Sequence, residues 1–252
     1  MSRLKSIAKQ VAASSMVKPE NKLLRDFINT IEKEQPDYKP SQWYKPSGLG
    51  CVRRMYYERI GEPKKEAKQF KLIGMGEVGT DRHETIQSYF VKMAKNYPEL
   101  EWINVADFLK DNPVDGTIVD NKFIKNEFET KCKNELLQLS FLSDGLIKYE
   151  GELYILEIKT ESMFKFNKQE EVFPDHKIQA ACYSLCLGVN KVMFLYENRD
   201  DLNKKIYQFE VTEEIEDFVV DRIQYVEDCV EAGEPPKEKC KSSFCQYCKG
   251  RR

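Results

Sequence analysis

The sequence predicts an α/β fold in which a mixed central β-sheet carries helices on its faces. Three observations lead there. Segments with strand character at 152–160, 191–197 and 204–211 alternate with helical periodicity over 77–96, 174–187 and 212–232. Glu150-Gly151 reads as a tight hairpin turn between two strand-like runs. The 252 residues are 41% hydrophobic and 33% charged, enough apolar material for a core under a charged surface. With 13 Tyr and 14 Phe residues, disorder throughout is excluded. No run approaches the roughly 18 apolar residues of a membrane-spanning helix.

In chain order, residues 1–15 place Leu4, Ile7, Ala8, Val11 and Ala12 on one face of a basic, acid-free helix. Its composition resembles an organellar transit peptide, but a docking helix or DNA-contacting arm is expected, as is a protein partner for the N-terminal helices. No apolar core of a secretory signal is visible, and a cytoplasmic location is expected. A second helix follows Pro19, with Leu23, Leu24, Phe27, Ile28 and Ile31 inward. Residues 35–47 form a Pro-punctuated linker. Ser47 caps a helix carrying Cys51, Met55, Tyr56 and Ile60, and 62–76 is a basic loop closing at Gly74 and Gly76. The helix from Glu77 sets His83 on a stripe with Ile86, Phe90, Met93 and Tyr97. Strands are expected at 122–130 and 135–149, and the helix opening at Pro174 ends at Gly188.

Charge is polarised although the net is only −2. Residues 45–71 carry 8 basic and 3 acidic side chains, residues 237–252 carry 6 and 1, and the stretch between them is strongly acidic. That pattern fits a metal-binding centre between nucleic-acid-binding flanks. Four of the eight cysteines, Cys132, Cys182, Cys186 and Cys229, sit singly in apolar-periodic stretches as small core residues. Cys240, Cys245 and Cys248 bunch in a basic tail and point to metal or redox chemistry.

The hairpin turn pairs Tyr149 with Glu152, and the same register sets Asp144 opposite Glu157. Alternation puts Glu157 and Lys159 on one face. Opposed like charges destabilise a sheet, and a divalent cation between the two carboxylates removes that cost; Mg²⁺ or Mn²⁺ suits oxygen ligands. The alternative is a charged cross-strand cluster with Lys159 as counter-ion. Gln179 and Tyr183 stack at i and i+4 on one helix face.

Gly79-x3-His83, Asp144, Glu157-x-Lys159 and Gln179-x3-Tyr183 follow in the order and approximate spacing of RecB-like nucleases of the PD-(D/E)XK superfamily, which the chain resembles over residues 74–197. Cys51 with Cys240, Cys245 and Cys248 resembles the subgroup that includes the AddB nuclease domain and CRISPR-associated exonucleases. The resemblance implies a metal-dependent DNA exonuclease acting on single-stranded or end-processed DNA in recombination, repair or phage replication. Endonuclease trimming as in CRISPR adaptation, and a non-catalytic DNA-binding module, are the alternatives. It implies Mg²⁺ or Mn²⁺ on His83, Asp144, Glu157 and the carbonyl of Ile158, with Lys159 activating water and Gln179 and Tyr183 positioning DNA and the lysine. The four cysteines would hold a [4Fe–4S] cluster, with Zn²⁺ equally compatible with four thiolates. The implied organisation is an arm and linker over 1–46 and a nuclease domain over 47–252, with 47–71 and 237–252 forming a helical cysteine lobe. There Arg53, Arg54, Arg59, Lys241, Lys249, Arg251 and Arg252 would contact phosphates, and Tyr44, Tyr56, Tyr57 and Phe244 would stack on bases. Two features depart from the family pattern: the C-x4-C-x2-C spacing, and Phe141 where a glycine is usual.

Overall fold

The structure, a computed structural model, describes residues 22–34, 40–62, 70–121, 127–242 and 245–248. The expected N-terminal helix at 1–15 lies outside them, as do Lys249, Arg251, Arg252 and Phe244. The chain divides into two compact units: Met1–Asp37 with Ala67–Gly76, and Tyr38–Glu66 with Glu77–Arg252.

In the first unit, helix α1 (Lys22–Lys33) forms as expected, but its apolar face is not inward: no residue is buried, and Leu23 and Phe27 are exposed. Phe70 N donates to Glu32 Oε1 at 2.9 Å. In the second unit, Pro46–Gly48 is a 3₁₀ turn and helix α2 (Val52–Arg59) starts at Cys51, not Ser47. Pro46, Gly48 and Gly50 favour turns over a helix, and Cys51 Sγ accepts from Arg54 N at 3.4 Å as the N-cap. Helix α3 (Phe70–Asn96) begins seven residues before the expected Glu77, so Gly74 and Gly76 lie in a helix and not at a loop end. Each costs about 1 kcal/mol there, which a 27-residue helix absorbs.

The remaining elements run β1 (Leu100–Ile103), α4 (Val105–Asp111), β2 (Thr117–Val119), β3 (Thr130–Asn134), β4 (Leu139–Ser143), β5 (Leu146–Tyr149), β6 (Glu152–Glu161), α5 (Met163–Lys168), α6 (Pro174–Leu187), β7 (Lys191–Asn198), β8 (Lys204–Glu210) and α7 (Glu213–Ala232). The central sheet has the order β1-β5-β6-β7-β8. β6 and β7 are parallel and the other pairs antiparallel, so the sheet is mixed as expected. Helices α6 and α7 pack Cys182, Val219, Ile223 and Val226 against one face with Ile155 and Phe194. Ile86 and Phe90 of α3 pack on the other with Leu156, Ile158 and Leu195.

The 135–149 segment is not one strand. It breaks into β4, which belongs to a separate three-stranded sheet β2-β3-β4, and β5, in the central sheet. The break is Asp144-Gly145. Gly145 has φ +152°, and a Cβ there would collide with the Trp102 ring, so only glycine fits. Downstream, Glu150 and Gly151 both take positive φ, as a two-residue primed turn requires, and Tyr149 pairs with Glu152 as expected. Of the strand expected at 122–130, residues 122–126 lie outside the described set and the observed strand begins at Thr130. Helix α6 ends on Gly188 in the left-handed conformation, as read from the sequence. Among the described residues, no helix is long and apolar enough to cross a membrane.

Candidate metal and catalytic site

Asp144 stands where the two sheets part, and the registers on either side say what it meets. One step beyond the Thr130↔Ser143 pair, Glu129 comes opposite it; beyond the Leu146↔Ile155 pair, Glu157 does. Helix α3 covers this junction with His83 and, one turn on, Gln87.

His83 Nδ1 lies 3.3 Å from Asp144 Oδ1, and Ile158 N donates to Asp144 Oδ2 at 2.8 Å. Gln87, fully buried, donates from Nε2 to the Asp144 carbonyl at 2.8 Å. Ligand atoms of His83, Glu129 and Asp144 all lie within 4.8 Å of one another. Alternation along β6 sends Glu157 and Lys159 toward α6. There Lys159 Nζ donates to Glu157 Oε1 and, at 2.9 Å, to Gln179 Oε1. Gln179 Nε2 donates to Glu157 Oε1 at 3.0 Å and to the Tyr183 hydroxyl oxygen. Phe141 is buried and packs its ring 4.8 Å from that of Tyr183.

The electrostatics follow from burial and proximity. Burial pushes the Glu157 carboxyl up to about 7 against the charge of Lys159, with Asp144 adding to the rise. Burial also acts to raise Asp144, but His83 and the Ile158 N–H outweigh it and hold that carboxyl below the ordinary range. For His83, burial pulls down and the Asp144 carboxylate pulls up more strongly, so it titrates above its usual value. Buried oxygens flanking an imidazole form a donor set that suits a divalent cation.

The second cluster joins the chain ends. Cys51 Sγ lies 3.6 Å from Cys245 Sγ and 3.5 Å from Cys248 Sγ, and the four thiols with Cys240 lie within 4.8 Å of one another. Zinc–thiolate bonds of about 2.3 Å set tetrahedral thiolates about 3.8 Å apart. Four thiols gathered this closely form a donor set that could hold a metal.

Of the flanking basic residues, Arg53 is buried, Arg54 and Arg59 are half-buried in ion pairs, and Lys241 is exposed. Arg53, 8% exposed, donates to Pro236 O at 2.8 Å, Tyr247 O at 3.2 Å and Tyr57 Oη at 3.2 Å, bracing the cysteine-bearing tail. Arg54 pairs with Glu58 at 3.0 Å and Arg59 with Glu227 at 2.7 Å. Tyr44, Tyr56 and Tyr57 are buried, so the stacking expected of them has no exposed ring. Sequence reasoning missed Glu129 and Gln87; the i+4 step from His83 signalled Gln87, whereas Glu129 carried no signal before the β3–β4 register was seen.

No family model and no curated protein sequence matches the chain. Among solved structures, SSO0001 is similar at TM-score 0.44 and 14% identity, covering 89% of this chain and 94% of that one. LHK-Exo in complex with dAMP is similar at TM-score 0.42 and 12% identity, covering 83% and 93%. The alkaline exonuclease LHK-Exo from Laribacter hongkongensis is similar at TM-score 0.39 and 13% identity, again over 83% and 93%. Likenesses this shallow fix neither activity nor substrate.

Proposed function

We propose that the chain is a divalent-cation-dependent nuclease hydrolysing phosphodiester bonds of DNA. The observation that carries this reading is one constellation: His83, Glu129 and Asp144 with ligand atoms in mutual reach, buried Glu157 opposite Asp144 by register, and Lys159 held by Glu157 and Gln179. His83, Asp144, Glu157 and the Ile158 carbonyl would hold Mg²⁺ or Mn²⁺, with Glu129 as a further oxygen ligand. The bound cation supplies Lewis acidity and a more acidic water.

The protein's own groups do the rest. The Ile158 N–H fixes one Asp144 oxygen and leaves Oδ1 toward His83 and the cation position. Gln87 anchors the Asp144 backbone, so the carboxylate is preorganised. Lys159 presents its ammonium to the charge that develops on the phosphate oxygens. Gln179, tied to Tyr183, keeps that lysine in place.

The cysteine group would be a structural metal site; the close approach of Cys51 to Cys245 and Cys248 favours a single tetrahedral zinc ion, with a [4Fe–4S] cluster as the alternative. Arg54, Arg251 and Arg252 remain as phosphate contacts, while the buried Arg53 serves as a brace. The finer assignment is an exonuclease acting on single-stranded or end-processed DNA. Incubating the protein with end-labelled linear and closed circular single-stranded DNA, in Mn²⁺, Mg²⁺ or EDTA, tests it. Metal-dependent loss of the linear strand with the circle intact is expected. Cutting of the circle would make it an endonuclease, and cleavage of neither would overturn the nuclease reading.

A further inference from the structure

Helix α5 is only six residues long, yet it is secured at both ends. At its start Met163 N donates to Asp200 Oδ2 at 2.9 Å. At its end Lys205 Nζ donates to Phe166 O at 2.6 Å and Gln169 O at 2.8 Å, and the Tyr207 hydroxyl donates to Gln169 O at 3.0 Å. Phe166 is buried beneath it. Phe164 points the other way and is 70% exposed, with Lys168 Nζ 4.0 Å from its ring centroid; Lys165 Nζ pairs with Glu161 at 3.4 Å. The ring is open to a ligand on a support anchored at both ends, and truncating it opens no core.

The position narrows what the ring meets. β6 and β7 are the parallel pair, and both end beside α5, at Glu161 and Asn198. Ligands of open α/β sheets gather at the carboxyl ends of parallel strands. Lys159, four residues before Met163, lies on the same strand, so Phe164 is at most about 17 Å from it along the chain. Lys165 and Lys159 both bear on His176, which burial first and these two charges next hold down to about 3. An aromatic face among lysines beside a phosphodiesterase centre matches the chemistry of an unpaired strand, which stacks its bases and pairs its phosphates.

We propose that Phe164 is a stacking platform for an unpaired nucleobase of the DNA strand, with Lys168 meeting the neighbouring phosphate. The proposal rests on the nuclease reading above. The test is fluorescence anisotropy of labelled single-stranded DNA, in EDTA to prevent cleavage, over a salt series. Phe164→Ala should weaken binding roughly 5- to 100-fold, and Phe164→Trp should retain it. The dependence of log affinity on log salt should keep its slope in Phe164→Ala and become shallower by about one unit in Lys168→Ala, since only the lysine releases counter-ions. Quenching of 2-aminopurine in the bound strand should be lost in Phe164→Ala, a signature that a merely structural effect would not produce. Equal affinity of wild type and Phe164→Ala, or an equal fall in both measures for Phe164→Ala and Phe164→Trp, would overturn the platform. If the wild type cuts DNA in Mn²⁺ while this occurs, the nuclease reading survives. If it neither binds nor cuts, both fall.

Discussion

Replacing Glu157 by glutamine should stabilise the metal-free protein at alkaline pH while removing its response to metal. Glu157 is 2% exposed, and burial raises its carboxyl from the ordinary 4.5 to about 7. Because the folded-state value lies above the unfolded one, the neutral acid's contribution is complete below about pH 4.5 and lost as the pH climbs through about 7. A rise of that size corresponds to on the order of 3 kcal/mol. His83, also raised, contributes in the same direction; its larger upward pull, from Asp144, is common to both proteins, and the smaller one from Glu157 is lost in the variant. Glutamine keeps an oxygen for Lys159 and Gln179 yet forfeits the ionic part of the Lys159 contact, so 3 kcal/mol is an upper bound. For a chain of this size each kcal/mol moves the melting temperature by about 2–4 °C. In EDTA at pH 8, Glu157→Gln should therefore melt up to about 10 °C above wild type, and the gap should shrink as the pH falls toward 5. Adding Mn²⁺ at pH 8 should reverse the order, because only the wild type gains binding energy from the full ligand set. Melting curves by circular dichroism from pH 5 to 8.5 give the comparison. A wild-type melting temperature flat with pH in EDTA, or a variant less stable at pH 8, would refute the reasoning.

Gly145→Ala should cost about 2–4 kcal/mol, from a backbone conformation closed to alanine and a collision with Trp102, and should abolish Mn²⁺ binding by displacing Asp144; urea melts and isothermal titration measure the two effects. Cys51→Ser, Cys240→Ser, Cys245→Ser and Cys248→Ser should each lose a single bound zinc ion, measured by elemental analysis, whereas brown protein containing iron and acid-labile sulfide would contradict the tetrahedral-ion reading. Cys132→Ala is the proper control, since Cys132 is fully buried and serine would place an unpaired hydroxyl in the core.

The sequence was most legible where chemistry and periodicity coincide. The Tyr149↔Glu152 register, the Gly188 terminus of α6 and the buried Gln179–Tyr183 pair were all readable from spacing. The cysteines at the two chain ends do come together. Less legible were features set by tertiary contact. Gly145 looked like an interior strand residue, and only the Trp102 ring from β1 explains the break that frees Asp144 from a continuous ladder. β1 and β2, four and three residues long, carry too little periodicity to be seen. Basic composition over 45–71 read as a nucleic-acid surface, yet Arg53 and Arg59 are spent on Pro236, Tyr247 and Glu227. Charge counting does not reveal which way a guanidinium points.

The most direct test of the account is single-turnover cleavage of end-labelled single-stranded DNA by wild type and Lys159→Ala, with Mn²⁺ affinity measured in parallel. Cleavage by the wild type that EDTA abolishes is expected, with a loss of about 100-fold or more in Lys159→Ala and Mn²⁺ still bound, because the lysine is not a ligand. Undiminished cleavage by Lys159→Ala, or cleavage by the wild type in EDTA, would contradict the account.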